Sequence, residues 1–295
     1  MKRFSSRVGI LLLIILLCAT SAGAVTTLIP GGQVIGLQLR DDTVTVTAFD
    51  ETLGKAAQEA GLCQGDRILR IDDITVRSAE DIRKALSCSD GQVDISVQRG
   101  SKTKNLTLRP AVTDDGPRLG VYLRQGTTGL GTVTYYDPAS GGFAALGHGV
   151  NSPDGNLLRL CSGSVYSARI FSVKKGKAGA PGQLLGTLTE ATPIGQLQKN
   201  TDQGVFGTGP RMQTAEALPI AKAAEIKTGS AVIRSTVDGT ALREYSVEIL
   251  KIYPNAGSRT RNMLLKVTDP QLLDTTGGIV QGMGVSYNRD NQVNP

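Results

Sequence analysis

Residues 143–150 read FAALGHGV and carry the only histidine in 295 residues, His148. Glycines stand on both sides of it, at Gly147 and Gly149. Such flanks imply a tight backbone path with open space around the ring. A neutral imidazole placed this way can take a proton from a hydroxyl or thiol and return it to a leaving group. A histidine satisfied in a structural turn is the alternative reading of the same residues. A thiol nucleophile would be Cys161, but its surroundings, LRLCSGSVYS, form no nucleophile signature. No metal or other cofactor is expected: one histidine cannot build a usual zinc site, and no two cysteines have ligand spacing.

The elements that must position this histidine follow from length and composition. A chain of 295 residues is long enough for two domains. Tryptophan is absent and aromatic residues are scarce, so the cores must be built from Val, Ile, Leu and Ala. The 36 glycines favour many turns and short strands. The net charge of +6 is spread out, without a Lys/Arg block interleaved with aromatics. Nucleic acid is therefore not an expected partner. A mild positive balance suits a neighbour of an anionic membrane surface.

The N-terminus begins MKRFSSR and continues into an apolar run from Val8 to about Ala19, followed by Ala22-Gly23-Ala24. Residues 1–27 read as a secretory signal or an uncleaved signal anchor. The rest of the chain is then exported, either membrane-associated or secreted. Cys18 lies in the apolar run, but Leu17 before it is too large for a lipidation motif. Export permits a disulfide between Cys63 and Cys88, although spacing does not fix their separation.

Residues 28–112 read as one small α+β domain. LIPGGQVIGLQL and TVTVTAFDE are strands. KAAQEA is a short helix ending at Gly61, which suits a C-cap. Ser78 with Asp81 forms a capping box for a second helix over residues 79–86. The run Ala60-Gly61-Leu62, Gly65-Asp66-Arg67-Ile68, Ile71, Val76, Ser78 and Asp81 resembles a PDZ domain. That resemblance implies binding of an extended peptide by strand addition, with its carboxylate captured by loop amides. The expected groove is Gly32, Gln33, Val34, Ile35, Gly36 and Leu37.

Residues 117–295 alternate in the manner of strands, broken by Gly and Asp-Pro turns. One helix is expected around residues 214–224, interrupted by Pro219. A double β-barrel fits this length. The order of signal, PDZ domain, GLGTVTYYDP, FAALGHGV, NTDQGVFG and MLLKVTDPQLLDTTGGIVQGM is similar to the sporulation stage IV B peptidase family. Its members are exported serine endopeptidases with a chymotrypsin-like fold. The expected fold is therefore mainly β: a PDZ domain followed by a double β-barrel.

By this resemblance His148 in ALGHG is the catalytic base and Asp269 in KVTDP the acidic member of a Ser-His-Asp arrangement. The family continues GGIVQG with Met-Ser-Gly-Ser-Pro-Ile, its first serine being the nucleophile. Here the chain reads Met283-Gly284-Val285-Ser286, so Gly284 stands at the nucleophile position. Ser286 lies two residues on, roughly 6–7 Å along an extended chain. The polar ending YNRDNQVNP lacks the strands the family places after the serine. This leads to the expectation of a C-terminally truncated chain with an incomplete second barrel and impaired activity. The resemblance further implies cleavage of a membrane-bound regulator in the space between forespore and mother cell, self-cleavage, and activation of a late sigma factor. A non-catalytic PDZ peptide-binding module is the alternative.

Overall fold

The computed structural model describes residues 27–153, 155–209, 216–222, 224–253 and 262–280, and residues 285–288 and 293–294 as strand backbone. The expected signal segment and Gly284 lie outside the described residues.

The chain enters on β1 (Thr27–Pro30) and β2 (Val34–Arg40). In β2, Ile35, Leu37 and Leu39 alternate onto one buried face. The chain then leaves to build a small module from β3 (Val44–Phe49), α1 (Lys55–Glu59), β4 (Arg67–Ile71), β5 (Ile74–Thr75), α2 (Ala79–Cys88), β6 (Val93–Arg99) and β7 (Lys102–Leu108). A ribbon of β8 (Ala111–Thr113) and β9 (Gly116–Arg118) leads to β10 (Val121–Arg124), which returns to pair with β3. The sheet order is β10-β3-β4-β6-β7, with β5 on β4.

Val44, Val46, Ile68, Ile71, Val93, Ile95 and Val97 fill the interior of this module, closed by Ile82 and Leu86 of α2. Each such side chain contributes about 1.5–3 kcal/mol on burial. Ser78 caps α2 by accepting the Asp81 N–H at 3.2 Å. The Asp81 carboxylate in turn accepts the Arg77 N–H at 2.9 Å and the Ser78 hydroxyl at 3.0 Å.

The remaining strands return to the first two. β11 (Thr127–Tyr136), β12 (Gly142–Ala145), β13 (Ser162–Lys174), β14 (Gln183–Leu188), β15 (Gly195–Thr201) and β16 (Gly204–Thr208) follow in sequence. Pairing runs β12-β16-β15-β13-β2-β11, and β11 pairs again with β12, so the sheet closes into a barrel. Its core holds Leu37, Leu39, Val133, Phe143, Ala145, Val165 and Val205. A short strand, β17 (Leu218–Pro219), pairs with β1.

The second sheet comprises β18 (Gly229–Thr236), β19 (Leu242–Ile252), β20 (Met263–Val267), β21 (Val285–Asn288) and β22 (Val293–Asn294), with α3 (Pro270–Thr276) after β20. Its order is β20-β19-β18-β21-β22, and it stays open among the described residues. Reciprocal bonds between Ile170 and Gly239, at 2.8 and 2.9 Å, tie β13 to this second unit. The architecture is thus mainly β, a PDZ module with a chymotrypsin-like pair of β units, the second an open sheet among the described residues.

Three expectations change. The small module does not start at residue 28: β1 and β2 belong to the barrel, and β10 belongs to the module. The reason is that β2 is hydrogen-bonded on both sides, to β11 and β13, and lays Ile35, Leu37 and Leu39 into the barrel core. The helix around residues 214–224 is replaced, in its described part, by β17. Pro219 lacks an N–H, which a short edge strand tolerates and a helix interior does not. Cys63, Cys88 and Cys161 are free, exposed thiols. No described helix is long and apolar enough to cross a membrane.

Candidate active site

His148 follows β12 directly. Leu146 adopts a φ of +75°, and Gly147 follows at +69°. The left-handed region costs a residue such as leucine about 1–2 kcal/mol. Part of what holds it there is the Leu146 N–H, which donates to the Thr132 carbonyl at 3.0 Å. The two glycines serve different ends. Gly147 supplies the positive φ in open space. Gly149 supplies a close approach: a Cβ there would stand 2.3 Å from Leu157 Cδ1 and 2.7 Å from the Thr201 carbonyl.

The imidazole of His148 is exposed, and its Nδ1 lies 2.9 Å from the Gly149 carbonyl oxygen. A carbonyl can only accept, so this bond places the hydrogen on Nδ1 and leaves Nε2 as an acceptor. That tautomer is the one a general base needs. The loop beyond is clamped by Asn200, which no motif singled out for a role. Its Oδ1 accepts the Val150 N–H at 2.9 Å, and its Nδ2 donates to Val150 O and Leu158 O, both at 2.8 Å.

A cavity of about 590 Å³ opens beside His148. Leu37, Leu39, Leu146, Ile170 and Leu184 give it apolar walls, and Gly129, Gly131, Gly149 and Gly186 leave it room. Among the described residues that line it, none is Asp, Glu, Lys or Arg. His148 is the only titratable side chain among those described lining residues.

The other expected site residues are not among the described residues that line this cavity. Asp269 is the N-cap of α3: its Oδ1 accepts the Leu272 N–H at 2.9 Å. It sits beside Tyr245, whose hydroxyl is pushed up first by burial and further by the Asp269 charge, against the opposing effect of Arg243. Among the described residues, no hydrogen bond or ion pair joins Asp269 to His148. The group bonded to His148 Nδ1 here is the Gly149 carbonyl instead. Ser286 lies in β21, in register with Ile233 of β18. Cys161 donates its N–H to Arg40 O at 2.8 Å and does not line the His148 cavity.

The peptide groove also moves. Val34, Ile35, Gly36 and Leu37 belong to β2, which is hydrogen-bonded on both sides, to β11 and to β13. Gly32 accepts bonds at its carbonyl from the N–H and hydroxyl of Thr236, and Gln33 O accepts the Val133 N–H. No edge remains there for a peptide. Within the PDZ module the edge strands are β10 and β7; β10 pairs only with β3 among the described residues. A cavity of about 530 Å³ lies between β10 and α2, lined by Ile82, Leu86, Leu119, Val121 and Leu123. Gly120 starts this strand at φ +65°, where a Cβ would stand 2.2 Å from the Leu53 carbonyl carbon. The sequence signal for it was the Leu119-Gly120-Val121 run, downstream of the expected boundary.

A family model described as SpoIVB peptidase S55 matches residues 115–291, and a PDZ domain model matches residues 54–99. A protein of Rhizobium meliloti (strain 1021) named "Putative zinc metalloprotease" is 25% identical over 234 residues, which is 75% of this chain and 55% of that one. A protein of Staphylococcus aureus (strain N315) bearing the same descriptive name is 33% identical over 81 residues, 27% of this chain and 19% of its own length. The chain thus spans about half the length of the first relative and a fifth of the second. The residues present do not fit the zinc those names imply. The chain has one histidine, and among the described residues no three of His, Cys, Asp or Glu gather to hold a metal.

Proposed function

The chain belongs to the SpoIVB peptidase S55 family, and on that premise we propose that it is built as a serine endopeptidase with His148 as general base. The match over residues 115–291, together with a histidine whose Nε2 is left to accept a proton at an uncharged cleft, carries this reading. Asp269 would supply the carboxylate. Its Oδ2 has no partner among the described residues, but it must turn from its capping role to reach an imidazole. Glycine at position 284 removes the hydroxyl that would attack, so this copy is impaired, and Ser286 is the nearest serine in sequence. The substrate we propose is a membrane-bound regulator, cut between forespore and mother-cell membranes on the way to late sigma-factor activation. The protein would reach that space by export, and self-cleavage near its N-terminus accompanies the same reading.

A fluorophosphonate probe tests the chemistry. The native full chain should label weakly or not at all. Gly284→Ser should label, and adding His148→Ala should abolish it. An unlabelled, folded Gly284→Ser variant would end the serine-peptidase reading.

A non-catalytic peptide-binding role is the second reading, favoured by Gly284 and the open β10 edge. Peptide capture that His148→Ala leaves unchanged supports it.

A further inference from the structure

The barrel strand β11 has two different halves. From Val133 onward it is bonded to the Gly31–Gln33 turn and β1 on one side and to β12 on the other. From Thr127 to Gly131 it pairs with β2 on one side only among the described strands. The direction of its free groups follows from two bonds. Val133 N–H points to β2, where it reaches Gln33 O at 2.9 Å, and Thr132 O points the other way, to Leu146 N–H at 3.0 Å. Backbone groups alternate sides along an antiparallel strand. The N–H and C=O of Leu130 and Thr128 therefore face outward, on the side where the His148 segment docks.

This edge borders the His148 cavity, whose walls include Thr127, Gly129, Gly131, Leu146 and His148 through Asn151. Two glycines keep it open. A Cβ at Gly129 would meet nothing within 4 Å, and one at Gly131 would meet Leu37 Cδ1 at 2.7 Å and Leu146 Cδ2 at 3.0 Å. Strand side chains at both positions would otherwise fill the space over the Leu37 and Leu39 side of the cavity.

We infer that the edge of β11 at Thr128–Leu130 receives an extended substrate segment as an added strand, and that the adjoining cavity takes a bulky aliphatic or aromatic side chain of that segment. The inference rests on the endopeptidase reading for its occupant, a polypeptide. The class of side chain comes from the described lining, which has apolar walls and no acidic residue, lysine or arginine. A charged side chain there would lose water and gain no counter-ion. Main-chain bonds hold the peptide whatever its sequence, and the cavity selects one residue. This edge lies on the closed barrel and is separate from the β10 groove of the PDZ module.

The test uses the full chain and dye-labelled Ala-Ala-Leu-Ala-Ala amide, followed by fluorescence anisotropy. The amide end removes the free carboxylate that a PDZ groove requires. Replacing the central Leu by Asp should weaken binding by about tenfold or more, the scale of burying one such side chain. Gly129→Leu, whose Cβ meets nothing within 4 Å and whose side chain projects into the cavity space, should weaken the Leu peptide similarly. N-methylation of the peptide amides flanking Leu should also weaken it on the native chain, whatever the fate of that variant. Equal affinity for Leu and Asp, no binding of the Leu peptide, or indifference to N-methylation would overturn the inference. Probe labelling of Gly284→Ser is read separately. Labelling without Leu preference sinks this inference alone, and Leu preference without labelling sinks the peptidase reading alone.

Discussion

Asn200 and Val150 are bound to each other twice: the Asn200 side chain accepts the Val150 N–H at 2.9 Å and donates to the Val150 carbonyl at 2.8 Å. An amide side chain here does the work of a neighbouring strand. It joins β15 to the loop that carries His148, and its third bond, to Leu158 O, reaches the loop's return. Asn200→Ala leaves partly buried backbone groups without partners. It should destabilise the protein by about 2–4 kcal/mol. Urea unfolding measures this, and hydrogen exchange at the Val150 amide should speed up disproportionately. Unchanged exchange at Val150 would show that the clamp does not hold the loop.

The two glycines beside His148 should respond differently to alanine. Gly147→Ala forces alanine into a left-handed conformation in open space, a cost of about 1 kcal/mol. Gly149→Ala drives a methyl into Leu157 and the Thr201 carbonyl and should cost about 1–3 kcal/mol. It should also displace the imidazole, visible as a changed His148 ring signal in NMR spectra. A greater loss at Gly147 than at Gly149 would contradict the geometry.

In the PDZ module, Asp66 is fully buried and receives two Arg99 bonds at 2.6 Å and the Cys63 N–H at 2.9 Å. Burial pushes the Asp66 carboxyl up, but the Arg99 bonds and charge and the Cys63 N–H outweigh it, so its pKa is lowered. A lowered folded-state pKa gives stability that is present above the unfolded carboxylate value of about 3.9 and lost as pH falls through the folded value. Arg99→Ala strands a buried charge and should cost about 3 kcal/mol at neutral pH. The gap between native and variant should shrink in acid, once Asp66 is protonated. Urea midpoints at neutral and acid pH measure it, and an equal gap at both would refute the assignment.

Gly120→Ala should disable the β10 groove. Its φ of +65° and the 2.2 Å approach to Leu53 leave no place for a methyl. Binding of free-carboxylate peptides should fall by about tenfold or more, with the barrel unaffected. Substitutions confined to Gly32 or Gln33 should not act through this groove, because those residues pair within the barrel. Full retention of carboxylate-peptide binding in Gly120→Ala would place the groove elsewhere.

The sequence by itself determined the periodicities and the local chemistry. Alternating aliphatics specified strands, Ser78 with Asp81 specified a helix start, Gly61 its predecessor's end, and the flanks of His148 a constrained loop. These are properties of residues near one another in the chain, where local sterics and hydrogen bonding decide. The tertiary structure decided partnership. VIGLQL reads equally well as a groove strand or a barrel strand, and only the pairing of β2 with β11 and β13, more than a hundred positions away for β13, settled it. Asp269 reads as an acid by motif, yet its carboxylate bonds to the nearby Leu272 N–H. Asn200 opens the NTDQGVFG motif, but its role is not legible there, because its three bonds join backbone groups 42 and 50 positions distant. Long-range pairing depends on which edges and faces remain once every strand has a place, and no short stretch of sequence contains that information.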